Sequence, residues 1–149
     1  MVMRMTKEKL LKILAEFGIS EPEKVILETD SAYLINTTPH ELKFDNGSVL
    51  PGSVELAKIL KATPKEAPLF TVGNITIVKT EWEKNNMALK LIEKIKKFNE
   101  ESDKPALLIS SIISVSAYGF PVVSPIAHNP RAPPNERIMF TNKFNSWTP

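Results

Sequence analysis

The chain has 149 residues, a formal net charge of +2 at pH 7 and no cysteine. The lack of cysteine excludes disulfides, thiolate zinc sites and cysteine nucleophiles, and the near-neutral charge argues against a dedicated nucleic-acid surface. A chain of this length buries enough apolar surface to fold without a disulfide or a metal. We therefore expect one domain over residues 1–149.

The composition and the N-terminal sequence bear on where the protein comes from and where it is located. The chain has no glutamine, and its lysine and glutamate far outnumber its arginine and aspartate. That bias is typical of proteins from hot environments. The N-terminal stretch MVMRMTKEKL has charges among its few apolar residues and lacks the unbroken apolar core of a signal peptide. We therefore expect a cytoplasmic protein.

The first predicted helix covers about residues 7–17, with Thr6 as its N-cap and Gly18 just beyond its end. Its apolar side chains recur at helical spacing along one face: Leu10, Ile13, Leu14 and Phe17. This spacing predicts an amphipathic helix that packs on a sheet and turns its other face to solvent.

Residues 14–20, LAEFGIS, are similar to the turn of a helix-turn-helix DNA reader. The segment that follows sets the lone cation Lys24 against four carboxylates, which are Glu21, Glu23, Glu28 and Asp30. Because carboxylates repel phosphates, we expect no DNA reading here. Ser20-Glu21-Pro22-Glu23 fits a capping box that either starts a short second helix or leads into a strand at residues 24–28.

The middle of the chain alternates short strands with turn signals. A strand is expected at residues 32–35, and Asp45-Asn46-Gly47 predicts a hairpin because Asn-Gly tolerates positive φ. Residues 54–61 fit a helix or a strand equally well. Pro64 and Pro68 mark a loop, and Gly73-Asn74 predicts a second hairpin with strands at about 69–72 and 75–79.

The clearest predicted element is a helix over about residues 82–100. Thr80 and Glu83 have the spacing of a capping box at its start. One face is apolar, with Ala88, Leu91, Ile92, Ile95 and Phe98, and lysines and glutamates fill the other faces. Burial of that stripe is expected to hold the helix, at about 1.5–3 kcal/mol for each large side chain.

Residues 105–130 form the longest run without a formal charge. Its four prolines and five serines argue against a membrane span, because lipid cannot satisfy the backbone groups that such breaks expose. We expect buried strands at 106–109 and 121–126, since strands covered on both faces are continuously apolar. Residues 111–118 fit either a helix or a strand, and we favour the helix. A last strand or a frayed tail follows, at 136–140 and 143–147.

Together these elements predict an α+β fold. We expect a mixed or antiparallel sheet with two principal amphipathic helices, residues 7–17 and 82–100, packed on it.

The chain contains few residues of catalytic type. It has no Gly-rich phosphate loop and no Gly-x-Ser-x-Gly elbow. A metal site would need both His40 and His128 plus a carboxylate such as Glu41 or Asp30, and nothing in their spacing requires such a site. We therefore predict no metal and no cofactor.

The most specific candidate is an anion-binding site. Ser110 and Ser111 end a predicted buried strand and open a predicted helix, so their hydroxyls and N–H groups are suited to an anion. His40, His128 and Arg131 lie in loops that would converge there. The alternative, which we favour, is that the two serines only cap the helix end.

Six short segments carry a resemblance to known proteins: 35–40 (INTTPH), 44–47 (FDNG), 50–53 (LPGS), 108–113 (LISSII), 122–125 (VVSP) and Arg131. In these segments the chain resembles a group of small, uncharacterised phage and prokaryotic proteins with an Asn-x-Thr-Pro-His motif. That group has a Pro-Pro-Ser turn where this chain has Pro51-Gly52-Ser53. The resemblance spans about residues 35–138 discontinuously, and it implies a viral or mobile-element connection.

Three classes of function fit these observations. The leading hypothesis is a small non-enzymatic binding or assembly module whose partner is a protein, either itself or another, because enzymes of this size usually show clustered acids, histidines or glycines. The first alternative is a small hydrolase or transferase that uses His40, His128 and either Ser110 or Ser111. The second is a nucleic-acid binder that uses Lys143 and the lysines of residues 84–97.

Overall fold

The structure, a computed structural model, describes residues 6–146 but not the Thr6 side chain. Within that range the chain has four α-helices: α1 (Thr6–Glu16), α2 (Val54–Leu60), α3 (Asn86–Glu101) and α4 (Ile112–Tyr118). The first strands are β1 (Ile26–Glu28), β2 (Tyr33–Asn36), β3 (Leu42–Phe44) and β4 (Val49–Leu50). The others are β5 (Thr63–Val72), β6 (Ile75–Glu83), β7 (Ala106–Ile109), β8 (Val122–Ala127) and β9 (Ile138–Asn145). The fold is α+β.

Seven of the strands form one mixed sheet in the order β1-β2-β7-β8-β9-β3-β4. The three central strands are parallel, with Ile35 beside Leu108 and Leu108 beside Val122. Strand β1 is antiparallel to β2, β9 is antiparallel to β8, and β3 runs parallel to β9. The carboxyl ends of β2, β7 and β8 therefore meet at one edge of the sheet.

Successive side chains of the central strands point to opposite faces of the sheet, so the buried apolar residues form two clusters. One cluster contains residues of all four helices and of the central strands, among them Leu14, Leu56, Phe98 and Val115 with Tyr33, Ile35 and Leu108. The opposite face holds Leu34, Ile109 and Val123 with Leu42, Phe44 and Leu50 of the β3–β4 hairpin. The predicted strand at 106–109 is confirmed, and it is covered on both faces as its continuous apolar sequence indicates.

The predicted start of the long helix was wrong. Thr80 and Glu83 lie in strand β6, and the helix begins at Asn86, where the Asn85 side chain accepts a hydrogen bond of 2.9 Å from the Met87 N–H. The β-branched run in 75–80 favours a strand, and that preference outweighs the capping-box pattern. The loop predicted at Pro64 and Pro68 was also wrong, because both prolines lie within β5.

Other predictions agree with the structure fully or in part. Hairpins turn at 45–47 and at 73–74, as predicted. Both ambiguous segments are helical, and Ser53 and Ser111 cap them. Residues 22–25 form a 3₁₀ turn, so the strand predicted at 24–28 begins only at Ile26. The cap predicted at Thr6 and the tail predicted at Trp147 lie outside the described residues.

None of the helices within residues 6–146 combines the length and apolarity needed to cross a bilayer.

The Asn36 side chain ties the end of β2 to two separate backbone segments. This residue is completely buried, and its amide nitrogen donates to the carbonyls of His40, Leu50 and Pro51 at 2.8, 3.1 and 3.1 Å. Its oxygen accepts from the Thr38 N–H and hydroxyl, at 3.0 and 2.7 Å. One amide therefore fixes both the turn after β2 and the exit from β4.

Replacing Asn36 with leucine is expected to lower the free energy of unfolding by about 3–5 kcal/mol, because several buried backbone groups lose their partner at about 1–3 kcal/mol each. Urea denaturation would measure the loss. Asn129→Leu is the matched control, since Asn129 also bonds two backbone groups but is exposed to water. Equal losses in the two variants would contradict the structural role of Asn36.

Candidate functional site

A cleft of about 890 Å³ opens at the carboxyl ends of the central strands. Its floor includes Ser110 and Ser111, which follow β7, and Ser124 of β8. The turn after β2 supplies Thr38 and His40. In sheets of this type, ligands bind outside the carboxyl ends of parallel strands, so the cleft lies where a binding site is expected.

The register of β7 and β8 brings two serines side by side. Ile109 pairs with Val123, and the Ser110 N–H donates to the Val123 carbonyl at 2.8 Å. Ser110 directly follows β7 and Ser124 follows Val123 in β8, so the same register brings these two serines close together. Both residues are almost buried, at 4 % and 5 % exposure, and both line the cleft.

These two serines differ from the other buried polar residues. Those others are Asn36, Thr37, Ser53 and Ser114, and each makes a side-chain hydrogen bond within the protein. Within residues 6–146, the hydroxyls of Ser110 and Ser124 have no such partner, and no fully enclosed side-chain nitrogen or oxygen is left unpaired there. Both hydroxyls must therefore be reachable from the cleft, where they are free to bond a ligand.

Positive side chains surround the cleft. Lys43 and Arg137 line it, against one lining carboxylate at Glu41. The Lys43 ammonium donates to the Asn135 carbonyl at 3.1 Å, and the Arg137 Nε donates to the Ala132 carbonyl at 3.0 Å. These bonds hold both cations against the loop before β9 and leave further N–H donors on each side chain.

Close backbone packing sets the position of His40. A Cβ atom on Gly52 would lie 2.6 Å from the His40 nitrogen and 2.7 Å from the Thr38 carbonyl oxygen. The Ser53 N–H donates to that same Thr38 oxygen at 2.8 Å. Only glycine allows the strand exit and the His40 turn to approach this closely.

Three of the five predicted site residues line the cleft: His40, Ser110 and Ser111. The Ser111 hydroxyl accepts from the Ser114 N–H at 3.2 Å, so this serine is the N-cap of α4. The capping interpretation thus describes Ser111. It does not describe Ser110, whose hydroxyl makes no such bond within the described chain.

The other two predicted residues, His128 and Arg131, are not among the lining residues. His128 stacks on Phe140 at a centroid distance of 3.6 Å, and its Nε2 lies 2.8 Å from Asp45 Oδ2. The cleft takes its cations from Lys43 and Arg137 instead. Local sequence gives little signal for either, because each is a single cation with no motif around it.

No group of three or more potential metal-ligating side chains occurs in the part of the chain that the structure describes. Comparisons of the chain with protein-family models, with curated proteins and with solved structures find no match.

The contact between His128 and Asp45 fastens the β3–β4 turn to the residue that directly follows β8. The hydrogen bond from His128 holds the pKa of the Asp45 carboxyl below its ordinary value, and a 3.0 Å hydrogen bond from the Thr141 hydroxyl adds to that effect. A lowered pKa means that the carboxylate stabilises the fold above its unfolded-state pKa. The contribution is lost as pH falls through the lower folded pKa.

His128→Ala is expected to raise the pKa of Asp45 toward its ordinary value, because the largest stabilising contact of the carboxylate is removed. An NMR titration that follows the carboxyl carbon would measure the change. His40→Ala is the control and should leave the Asp45 titration as it is. An Asp45 pKa that does not move in His128→Ala would show that the contact is absent in solution.

Proposed function

We propose that this chain is a non-enzymatic binding module, and that its cleft holds a small ligand through an anionic group such as a phosphate or a carboxylate. One observation carries the proposal: the nearly buried hydroxyls of Ser110 and Ser124 open onto a cleft and find no partner within the described residues. Hydroxyls that are open to a cleft and make no hydrogen bond within the described chain are free to bond a ligand there.

The charges around the cleft favour an anion. Lys43 and Arg137 outnumber Glu41 at the lining, and arginine offers a planar fork of donors that matches phosphate and carboxylate oxygens. The two serine hydroxyls would donate to the same group from the floor. A volume of about 890 Å³ falls in the range of small-molecule sites, roughly 300–1,000 Å³.

Binding has more support than catalysis. A serine nucleophile needs a base within hydrogen-bond reach. Among the described residues, no serine hydroxyl is hydrogen-bonded to a histidine, and His128 is engaged with Asp45. The hydrolase alternative therefore lacks the contact that it requires.

The nucleic-acid alternative has less support for a similar reason. Of the lysines that this alternative uses, Lys94 is paired with the carboxylate of Glu16 at 3.0 Å. Such pairing reduces the positive potential that would attract a phosphate backbone.

The wider biological setting rests on sequence alone. We propose that the protein is of viral or mobile-element origin, which the Asn36–His40 motif and its accompanying segments support by resemblance. We also propose that the chain is a single domain, that it is cytoplasmic and that it comes from an organism of a hot environment. In this domain the two long helices pack on the sheet and support the strands that carry the cleft.

The proposal predicts that inorganic phosphate binds in the cleft and that Arg137→Ala weakens this binding at least about 10-fold, since a charge-assisted hydrogen bond is lost. A phosphate titration followed through the amide NMR signals of Ser110 and Ser124 would measure it. Lys43→Ala and the double variant Ser110→Ala, Ser124→Ala should also weaken binding.

Arg131→Ala is the matched control, because Arg131 carries the same charge and lies outside the lining. It should bind phosphate as the parent does. Equal weakening by Arg131→Ala and Arg137→Ala, or no saturable shift in the parent, would refute the proposed site.

A further inference from the structure

The β5–β6 hairpin, Thr63–Glu83, forms an arm that is exposed along almost its whole length. Its half-buried residues are Ala67, Ile77 and Trp82, and the others are exposed. Ten residues of β5 at about 3.3 Å each give the arm a length of roughly 30 Å. Two strands alone are marginally stable in water, so contact with another surface would stabilise an arm of this kind.

The root of the arm is fastened to α4 at one atom. The Tyr118 hydroxyl accepts from the Asn85 N–H at 2.8 Å and donates to the Lys61 carbonyl at 3.4 Å. These two residues lie just outside the two ends of the arm. The single contact therefore fixes both strands at their base and gives the arm a defined direction.

Near its tip, the arm has a continuous apolar face. Phe70 is paired with Ile77, and Val72 is paired with Ile75, so all four side chains point to the same side of the ribbon. Phe70 and Ile75 are 59 % and 60 % exposed. The segment 67–78 has no formal charge. Contiguous exposed apolar surface of this kind marks an interaction site.

A second exposed apolar surface lies on α4 and directly after it. Ile112, Ile113 and Phe120 are 58 %, 44 % and 53 % exposed, and α4 has no charged residue. In the single chain this surface and the arm tip are both exposed, so the two do not cover each other. Each chain therefore has two exposed apolar surfaces, the arm tip and the α4 surface.

We propose that a second copy of this chain covers the arm. The tip of each arm packs on the α4 surface of the other copy. A two-fold axis relates the copies, so that both arms and both α4 surfaces are covered in the same dimer. Covering these side chains in two copies would bury on the order of 1,500 Å², within the 1,200–2,000 Å² typical of stable interfaces. Neither surface contains a charged side chain whose burial would oppose the contact.

The sequence of β5 disfavours a different kind of assembly, in which strands of other chains pair with its free edge. Pro64 and Pro68 lack the N–H that an added strand would need, and prolines in strands are confined to edges for this reason. Contact through the apolar face therefore fits the arm better than open-ended strand addition.

Light scattering after size-exclusion chromatography tests this inference. The parent chain at about 10–100 μM is expected to have the mass of a dimer. The arm variant Phe70→Thr, Ile75→Thr should weaken dimerisation at least 10-fold and keep its strand preference. The matched control Thr71→Ser, Thr76→Ser alters a cross-strand pair on the opposite face, and it should remain a dimer.

Two further measurements locate the contact. The surface variant Ile113→Gln should also be monomeric, and mixing it with the arm variant should restore dimers, because each mixed pair keeps one intact contact. Since the chain has no cysteine, Ile75→Cys combined with Ile113→Cys gives a clean test, and oxidation should link two chains.

Several outcomes would overturn the inference: a monomeric parent, a parent that binds lipid vesicles as a monomer, or an arm variant that remains a dimer. A cross-link formed only within single chains would do the same. Ile112 belongs both to the α4 surface and to the cleft lining. The inference nevertheless does not rest on anion binding, so its failure would leave the prediction for the phosphate titration unchanged.

Discussion

The buried amide of Asn36 is the interaction on which the arrangement of the cleft depends. It lies at the end of a central parallel strand and bonds the backbone at His40, Leu50 and Pro51. Without it, the turn that carries His40 and the segment that leads into α2 would have no shared partner. Gly52 allows these two segments to touch. One fully buried polar side chain thus joins the sheet core to the rim of the cleft, which a purely apolar core could not do.

Helix α4 connects the two surfaces for which we propose a role. Its N-cap is Ser111, at the floor of the cleft, and the Ser114 hydroxyl donates to the Leu60 carbonyl at 2.7 Å, just before the arm begins. Its last residue, Tyr118, holds both ends of the arm. A short helix with no charged residue therefore lies between a small-ligand site and an extended apolar arm. The four-residue spacing of Ser114 and Tyr118 places both on one helix face.

Much of the fold follows from local signals in the sequence. The Asn46-Gly47 turn, the apolar stripe of α3 and the unbroken apolar run of β7 each predict their element, because the chemistry is local. The start of α3 was missed because Thr80 and Glu83 match a capping box while their neighbours favour a strand, and the hairpin partner decides between the two. At the cleft, Ser110 could be found from its place after a buried strand. Arg137 could not, because strand pairing brings it to the lining and its own neighbours give no sign of that.

The central claim is that the hydroxyls of Ser110 and Ser124 form the floor of an anion site. A crystal structure of the protein grown in phosphate tests it most directly. The account predicts an ion within about 3 Å of both hydroxyls and of a guanidinium nitrogen of Arg137. A cleft that contains only water at saturating phosphate, with the ion bound at Arg131 or elsewhere on the surface, would contradict it.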